Sequence, residues 1–387
     1  MGPTVRNEAA AGALDATGGA QSAAARTIGG GWLRWCAWGY LVALGVALGL
    51  AAVASWIRLL RHHDTTRVAR SAVAALGAVS LVWAASCAAS VAAASGLRDV
   101  ASFADLVGRY RLSPTPVGPE LRGYTGVVIG DSRVSRLGGP LVADPGRDDR
   151  DCGRSTDSLA AELASTLPAK VLNLACPSAT IRAGLLGSQQ RSGRNLPPQV
   201  GILKQVKDLR FVVVAVGPND LRWSELIAYC YGARVCDDNL IVGDVGYRLA
   251  AFDRDYGQLL AELADLPGSP RVIVMTSYDV MTPDAAEPGS HCADARGPSG
   301  AAGLTPGKVR YLTSMNDRLN QVLVSGAETY GFAVARPRLS PLCQAGADGL
   351  GPDLQGLDTA APFHPTGLGT VRLAAAVARA IPPEGGP

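Results

Sequence analysis

Five short runs of this 387-residue chain are apolar without alternation, and stretches of helical periodicity separate them. Phe211-Val212-Val213-Val214-Ala215-Val216 is the clearest. A strand with one wet face alternates apolar and polar residues, whereas a strand covered on both faces has no reason to. Residues 126–129, 170–174, 210–216, 271–276 and 332–335 are therefore expected as strands of a parallel sheet. Residues 155–165, 197–207, 247–266, 306–330 and 366–381 are expected as the helices that cover it. The fold class is α/β, a three-layer α/β/α domain, with no internal repeat.

Apolar content is concentrated near the N-terminus of a chain whose mean hydropathy is +0.15. Residues 36–57 and 71–97 carry no charge. Either is long enough to cross a hydrocarbon core of about 30 Å as a helix. Trp32, Trp35, Trp38 and Tyr40 crowd the entry to the first stretch and Trp56 marks its exit, as rings that favour the headgroup level do. Two transmembrane helices are thus expected within residues 32–97. The loop between them carries Arg58, Arg61, Arg67 and Arg70 against Asp64, so it belongs in the cytoplasm and both chain ends outside. A cleavable signal peptide is not expected, because the apolar core is too long and starts too late. Residues 1–31 have a disordered composition. Residues 98–123, with Pro114, Pro116 and Pro119, form a connector to a domain over 124–387. The expected location is the plasma membrane, with that domain extracytoplasmic.

The cysteines test this orientation separately. Cys36 and Cys87 fall in the apolar stretches, leaving Cys152, Cys176, Cys230, Cys236, Cys292 and Cys343. An even set in an outside domain points to three disulfides, whose pairing the number alone leaves open. No CxxC pair exists, and His62 and His63 have no Cys or further His beside them, so no metal or cofactor is expected. With 32 Arg and four Lys, no basic cluster in the outer domain and a net charge of only +3, nucleic acid is not an expected partner.

Three patches carry the chemistry. Gly130-Asp131-Ser132-Arg133 follows the first strand, Gly217-Pro218-Asn219-Asp220 follows the third, and Phe363-His364-Pro365-Thr366 precedes the last helix. Ester hydrolysis needs a hydroxyl beside a base, with preorganised N–H donors where the carbonyl oxygen becomes negative. Two strand ends and a late loop bring such groups to one edge of a parallel sheet. His291, in a Gly/Pro/Ala-rich loop beside Cys292, is the rival base.

With these patches in this order, residues 124–382 resemble the SGNH (GDSL-type) serine hydrolases, most closely their secreted actinobacterial esterase and lipase branch. Cys152-Gly153-Arg154-Ser155 and Asn173-Leu174-Ala175-Cys176-Pro177-Ser178-Ala179-Thr180 extend the match, as do the later cysteines. The resemblance implies disulfides Cys152–Cys176, Cys230–Cys236 and Cys292–Cys343. It implies Ser132 as nucleophile and His364 as general base. The oxyanion donors would be the Ser132 N–H, the Asn219 side chain and the N–H of Ser178, which stands where the family usually has Gly.

The acid is the departure. The family places Asp three residues before the His, and here that residue is Ala361. A main-chain carbonyl is the expected substitute, with Asp358 or Asp353 as alternatives from the preceding loop. Arg133 replaces an aromatic or apolar residue, either pairing with an acid or favouring an anionic or sugar-linked substrate. Asp131 and Asp220 are expected to cap helices. The Gly/Pro/Ala-rich loops 278–305 and 344–362 are expected to set specificity. The expected function is hydrolysis of lipid or acylated small-molecule esters at the outer membrane face. The alternatives are removal or transfer of acetyl groups on envelope polysaccharide, or a catalytically silent binding domain, to which Ala361 and Ser178 would point.

Overall fold

The computed structural model describes residues 112–116, 118–344 and 349–381, together with helical residues at 38–46, 48–49, 52–53, 56–57, 77–78, 80–83 and 85–86. The chain divides into two compact units, Met1–Tyr110 and Arg111–Pro387. In the first, the Tyr40 hydroxyl lies 3.1 Å from Ser80 Oγ, and the Tyr40 and Trp83 ring centroids are 6.1 Å apart. Among the described residues, no helix is long and apolar enough to cross a membrane. Parts of both expected spans lie outside the described residues, as do residues 1–31, the Arg-rich loop and His62 and His63.

In the second unit all five expected strands form. They are β1 (Gly126–Gly130), β2 (Val171–Asn173), β5 (Phe211–Ala215), β6 (Arg271–Met275) and β7 (Ala333–Ala335). A hairpin of β3 (Gln189–Arg191) and β4 (Arg194–Leu196) stands apart from them. The sheet order is β2-β1-β5-β6-β7, with every pairing parallel. Because β2 and β5 flank β1 on opposite sides, the connections diverge at the carboxyl ends of β1 and β5. That divergence opens the crevice in which open α/β sheets bind ligands.

The helices are α1 (Ser132–Ser135), α2 (Arg147–Asp151), α3 (Leu159–Thr166), α4 (Gln199–Leu203), α5 (Trp223–Gly232), α6 (Asn239–Ala264), α7 (Ala293–Arg296), α8 (Pro306–Thr329) and α9 (Gly367–Ala380). Val128, Val213 and Ile273 face one core with Leu163 of α3 and Leu373 of α9. Val127, Ile129, Val212, Val214 and Val274 face the other with Leu203 of α4, Phe252 of α6 and Leu323 of α8. Burial on both faces is why the strands lack polar alternation, and each such side chain contributes about 1.5–3 kcal/mol.

Three differences from the sequence reading have local causes. The hairpin lacks apolar alternation; its turn, Ser192-Gly193, has positive φ at both residues (48° and 73°), the conformation of a type I′ turn. Helix α6 starts eight residues before position 247, because Asp238 caps it by accepting from the Leu240 and Ile241 N–H groups at 3.0 and 3.2 Å. The domain also begins before residue 124. Lys204 Nζ donates to the Pro114 carbonyl at 3.1 Å, and Leu121 N–H donates to Gln205 O at 2.9 Å.

Candidate active site

The site begins where β1 ends. Gly130 has φ of +148°, and a Cβ there would collide with the Ala215 carbonyl oxygen of β5, so this turn requires glycine. The buried Gln199 side chain holds the same residue from both sides, accepting from Gly130 N–H at 2.8 Å and donating to its carbonyl at 3.0 Å. The chain then enters α1 directly. Asp131 caps it by accepting from Arg133 N–H at 2.9 Å, and Ser132, as the first helical residue, has no preceding carbonyl for its N–H to bond within the helix.

Arg133 is buried, and its guanidinium forks onto Asp131 (Nε–Oδ1 3.0 Å, Nη2–Oδ2 2.9 Å) and donates to the Val216 carbonyl at 3.2 Å. Of its two expected roles, the structure shows the pairing with an acid.

The second patch is tied to the loop that follows β2. Asn219 Nδ2 donates to the Ala179 carbonyl at 3.1 Å, and Ile181 N–H donates to Asp220 Oδ1 at 2.9 Å. These bonds pull the loop after β2 over the end of β5, exposing Ser178 beside the nucleophile turn in the left-handed conformation (φ 62°). An amide carries two N–H donors, so Asn219 retains a second after serving Ala179. Asp220 does not cap a helix. Its Oδ2 is enclosed without a partner, and burial, with Asp131 adding repulsion, pushes the carboxyl up to about 7.

His364 completes the constellation. Nε2 lies 2.7 Å from Ser132 Oγ, and Nδ1 lies 2.9 Å from the Pro362 carbonyl oxygen. Neither Asp358 nor Asp353 orients the ring. Asp358 is exposed in a turn. Asp353 is buried, accepting from Ser340 N–H at 2.7 Å and from Arg372 Nε at 2.8 Å. Ala361 is buried as well, and His291 is exposed.

A residue that the sequence reading missed holds the histidine loop. Gln355 pairs through its backbone with both Phe363 (N–H to Gln355 O, 2.8 Å) and His364 (Gln355 N–H to His364 O, 2.8 Å). Its buried Nε2 donates to Leu137 O at 2.9 Å and to Pro365 O at 3.0 Å. One amide thus joins the segment following the nucleophile helix to the loop carrying the histidine. Tyr278 adds a bond from its hydroxyl to the Phe363 carbonyl at 3.2 Å, while Phe363 itself sits at φ 66°. A bulky residue in that region costs about 1–3 kcal/mol and persists only where its surroundings hold it. No periodicity marks Gln355; its signal is a lone amide in a loop, which is no signal.

Ser132, Ser178, Asn219 and His364 line a cavity of about 250 Å³ together with Trp223, Ile227, Val280 and Phe363. Tyr278 and Val280 of loop 278–305 and Pro362 of loop 344–362 also line it, and Cys292–Cys343 ties the first loop to the residue just before the second. Asp294, beside that bridge, accepts from Leu357 N–H at 2.7 Å. The other pairs are Cys152–Cys176 and Cys230–Cys236. The arrangement can move a proton from a hydroxyl to an imidazole whose other nitrogen is fixed, beside a set of N–H donors.

The fold has counterparts among solved structures. It resembles the extracellular lipase from Streptomyces rimosus, at 18% identity and a TM-score of 0.51 over 67% of this chain and 100% of that one. Phospholipase A1 from Streptomyces albidoflavus NA297 matches at 15% identity and a TM-score of 0.49, over 67% and 100% of the two chains. At 18% identity the first likeness is one of fold. No curated protein matches significantly. Residues 128–371, which run from β1 into α9 and so include Ser132, Asn219 and His364, match the model of the GDSL-like lipase/acylhydrolase family, and the chain belongs to that family and is a carboxylic ester hydrolase.

Proposed function

We propose that this protein hydrolyses short-chain carboxylic esters through a Ser132–His364 dyad whose base is oriented by a main-chain carbonyl. The observation that carries the reading is the continuous line Ser132 Oγ, His364 Nε2, His364 Nδ1, Pro362 O at 2.7 and 2.9 Å. Nδ1–H donates to the carbonyl, which leaves the lone pair on Nε2 facing the hydroxyl. Ser132 Oγ attacks the ester carbonyl as Nε2 takes its proton. The N–H groups of Ser132 and Ser178 and the second amide hydrogen of Asn219 then stabilise the oxyanion. The tetrahedral intermediate expels the alcohol, which receives the proton from Nε2, leaving an acyl-serine. Water, deprotonated by the same nitrogen, releases the acid and restores Ser132.

The small cavity and its apolar wall of Trp223, Ile227 and Val280 suit a short acyl group better than a long chain. Ligand pockets for larger molecules run at about 300–1,000 Å³. A purely binding role is disfavoured, because the Ser–His bond is already made. Attachment to the plasma membrane, with the hydrolase domain outside, is part of the proposal. The two uncharged stretches and the Arg-rich loop support it, as do three disulfides, which persist in oxidising compartments.

The experiment is a series of p-nitrophenyl esters from acetyl to palmitoyl, run beside acetylated glycans, with fluorophosphonate labelling as the control. Phosphonylation at Ser132 and a rate maximum at short acyl lengths are expected. Absence of labelling in folded protein would overturn the dyad, and preference for glycans would replace the substrate class. For topology, an impermeant thiol reagent should fail to label a cysteine engineered in the loop at 58–70 of intact cells; ready labelling would reverse the orientation.

A further inference from the structure

Asp220 takes no step in the ester cleavage, yet it directly follows Asn219, the side-chain donor proposed for the oxyanion hole. Its Oδ1 accepts from Ile181 N–H at 2.9 Å, and Asn219 Nδ2 donates to the Ala179 carbonyl at 3.1 Å. The two bonds grip the chain one and three residues beyond Ser178, whose φ of 62° persists only where its surroundings hold it. Asp220 Oδ2 is enclosed without a hydrogen-bond partner. From the turn into α1, Asp131 repels the carboxyl and Arg133 attracts it, but the Arg133 guanidinium is forked onto Asp131. In the loop after β2, Arg182 pairs with Asp255 of α6 at 2.7 Å. Arg248 of the same helix pairs with Asp244 at 2.7 Å while donating to Leu221 O at 3.1 Å. Tyr278, after β6, faces Arg133 and Asp131, and burial pushes its phenol up, so it stays neutral. His364 shares the catalytic cavity with Asn219.

We infer that Asp220 is a positioning residue that serves the oxyanion hole only in its neutral form: the protonated carboxyl fastens the turn presenting Ser178 N–H, and the carboxylate sets a negative charge beside the forming oxyanion. The inference rests on the Ser132–His364 reading, with Ser178 and Asn219 as donors. Asp131 and Arg133 largely offset one another, so they leave the charge of an ionised Asp220 in place. Repulsion between like charges in an enclosed site acts on the oxyanion more than on the neutral ester, and so raises the barrier without weakening substrate binding. Burial, with Asp131 adding repulsion, outweighs the N–H groups of Ile181, Asp220 and Gly217 and pushes the carboxyl up to about 7. Ionisation therefore falls within the working range of an imidazole base. Protonation of His364 bounds the rate on the acid side, and ionisation of Asp220 bounds it on the alkaline side.

The test is kcat and KM for p-nitrophenyl acetate from about pH 5 to pH 9 in the full-length parent, Asp220→Asn and Asp220→Ala, with Ser132 titrated by a fluorophosphonate to count active sites. The parent's kcat should fall about tenfold between pH 7 and pH 9 with KM little changed, less than the roughly 10²–10³-fold that loss of a whole oxyanion donor costs. Asp220→Asn keeps an acceptor for Ile181 N–H and cannot ionise, so its kcat should stay level over the same interval. Asp220→Ala loses that bond and should lower kcat about tenfold at pH 6, where the parent carboxyl is neutral. A packing role would move the melting temperature and leave the alkaline limb in place. A parent kcat that stays level from pH 7 to pH 9 would overturn the inference without any variant, as would an alkaline limb of parental size in folded Asp220→Asn. Failure of the fluorophosphonate to label Ser132 would overturn the dyad reading and this inference with it.

Discussion

The Pro362 carbonyl oxygen stands 2.9 Å from His364 Nδ1, two residues further along the same loop. It occupies the role that a carboxylate three residues upstream fills in the resembling hydrolases, where this chain has Ala361. A carbonyl fixes the imidazole tautomer but places no negative charge behind it. Removing either end of the Ser–His pair should therefore be severe, and removing nearby acids mild for the chemistry. Ser132→Ala and His364→Ala are each expected to lower kcat by about 10³-fold or more. Asp358→Asn should change it by less than about tenfold, equivalent to about 1.4 kcal/mol. Asp353→Asn should lower the melting temperature, because it removes the buried charge that Arg372 Nε meets at 2.8 Å, yet leave kcat per folded molecule within the same range. A loss near 10⁴-fold in either Asn variant would identify a carboxylate acting on the histidine.

Gln355 should behave as a positioning residue. Its Nε2 donates to Leu137 O and Pro365 O, so Gln355→Leu leaves two carbonyls short of a donor and frees the histidine loop. The expected result is a fall in kcat of about tenfold to 10²-fold, the scale at which small misplacements act, with KM little changed. Gln355→Glu supplies acceptors where the carbonyls need a donor, and should not rescue. Parallel changes in stability alone, with kcat intact, would reduce Gln355 to a packing role.

Asp220 should make stability depend on pH. Its carboxyl is pushed up to about 7 in the folded protein, while in the unfolded chain it titrates near 3.9. Between those values the folded state holds a proton that the unfolded state has released, so stability is full below about pH 4 and falls as pH rises toward 7. Asp220→Asn keeps an acceptor for Ile181 N–H and removes the titration. Urea midpoints at pH 5 and pH 8 should converge in the variant relative to the parent. An unchanged difference would assign the pH dependence to other groups.

The three disulfides should contribute unequally. Their sequence separations are 51 for Cys292–Cys343, 24 for Cys152–Cys176 and 6 for Cys230–Cys236. Loop-closure entropy predicts contributions of about 4, 3 and 2 kcal/mol in that order. Pairwise replacement by Ala, followed by denaturant titration, measures them. Loss of the Cys292–Cys343 pair should also cost activity, because it ties loop 278–305, which reaches the catalytic cavity, to the residue that leads into loop 344–362.

The positions of the five sheet strands along the chain, and the sites at their ends, were legible in the chain alone. Runs such as Phe211 to Val216 lack polar alternation because both faces of the sheet are covered, and burial is a property that composition records residue by residue. Ser132, Asn219 and His364 were legible for a related reason, since each follows a strand or precedes a helix whose own pattern marks its boundary. What holds those groups in place was not legible. Gln355 reaches Leu137 across 218 positions, Gln199 grips Gly130 across 69, and Asp353 lies in the core instead of in solvent. Hydrogen bonds between distant segments leave no period in a sequence, since a single polar side chain reads the same whether it meets water or a backbone carbonyl. Only the folded chain decides which, because only there does excluding water make each unpaired donor costly and each acceptor worth meeting.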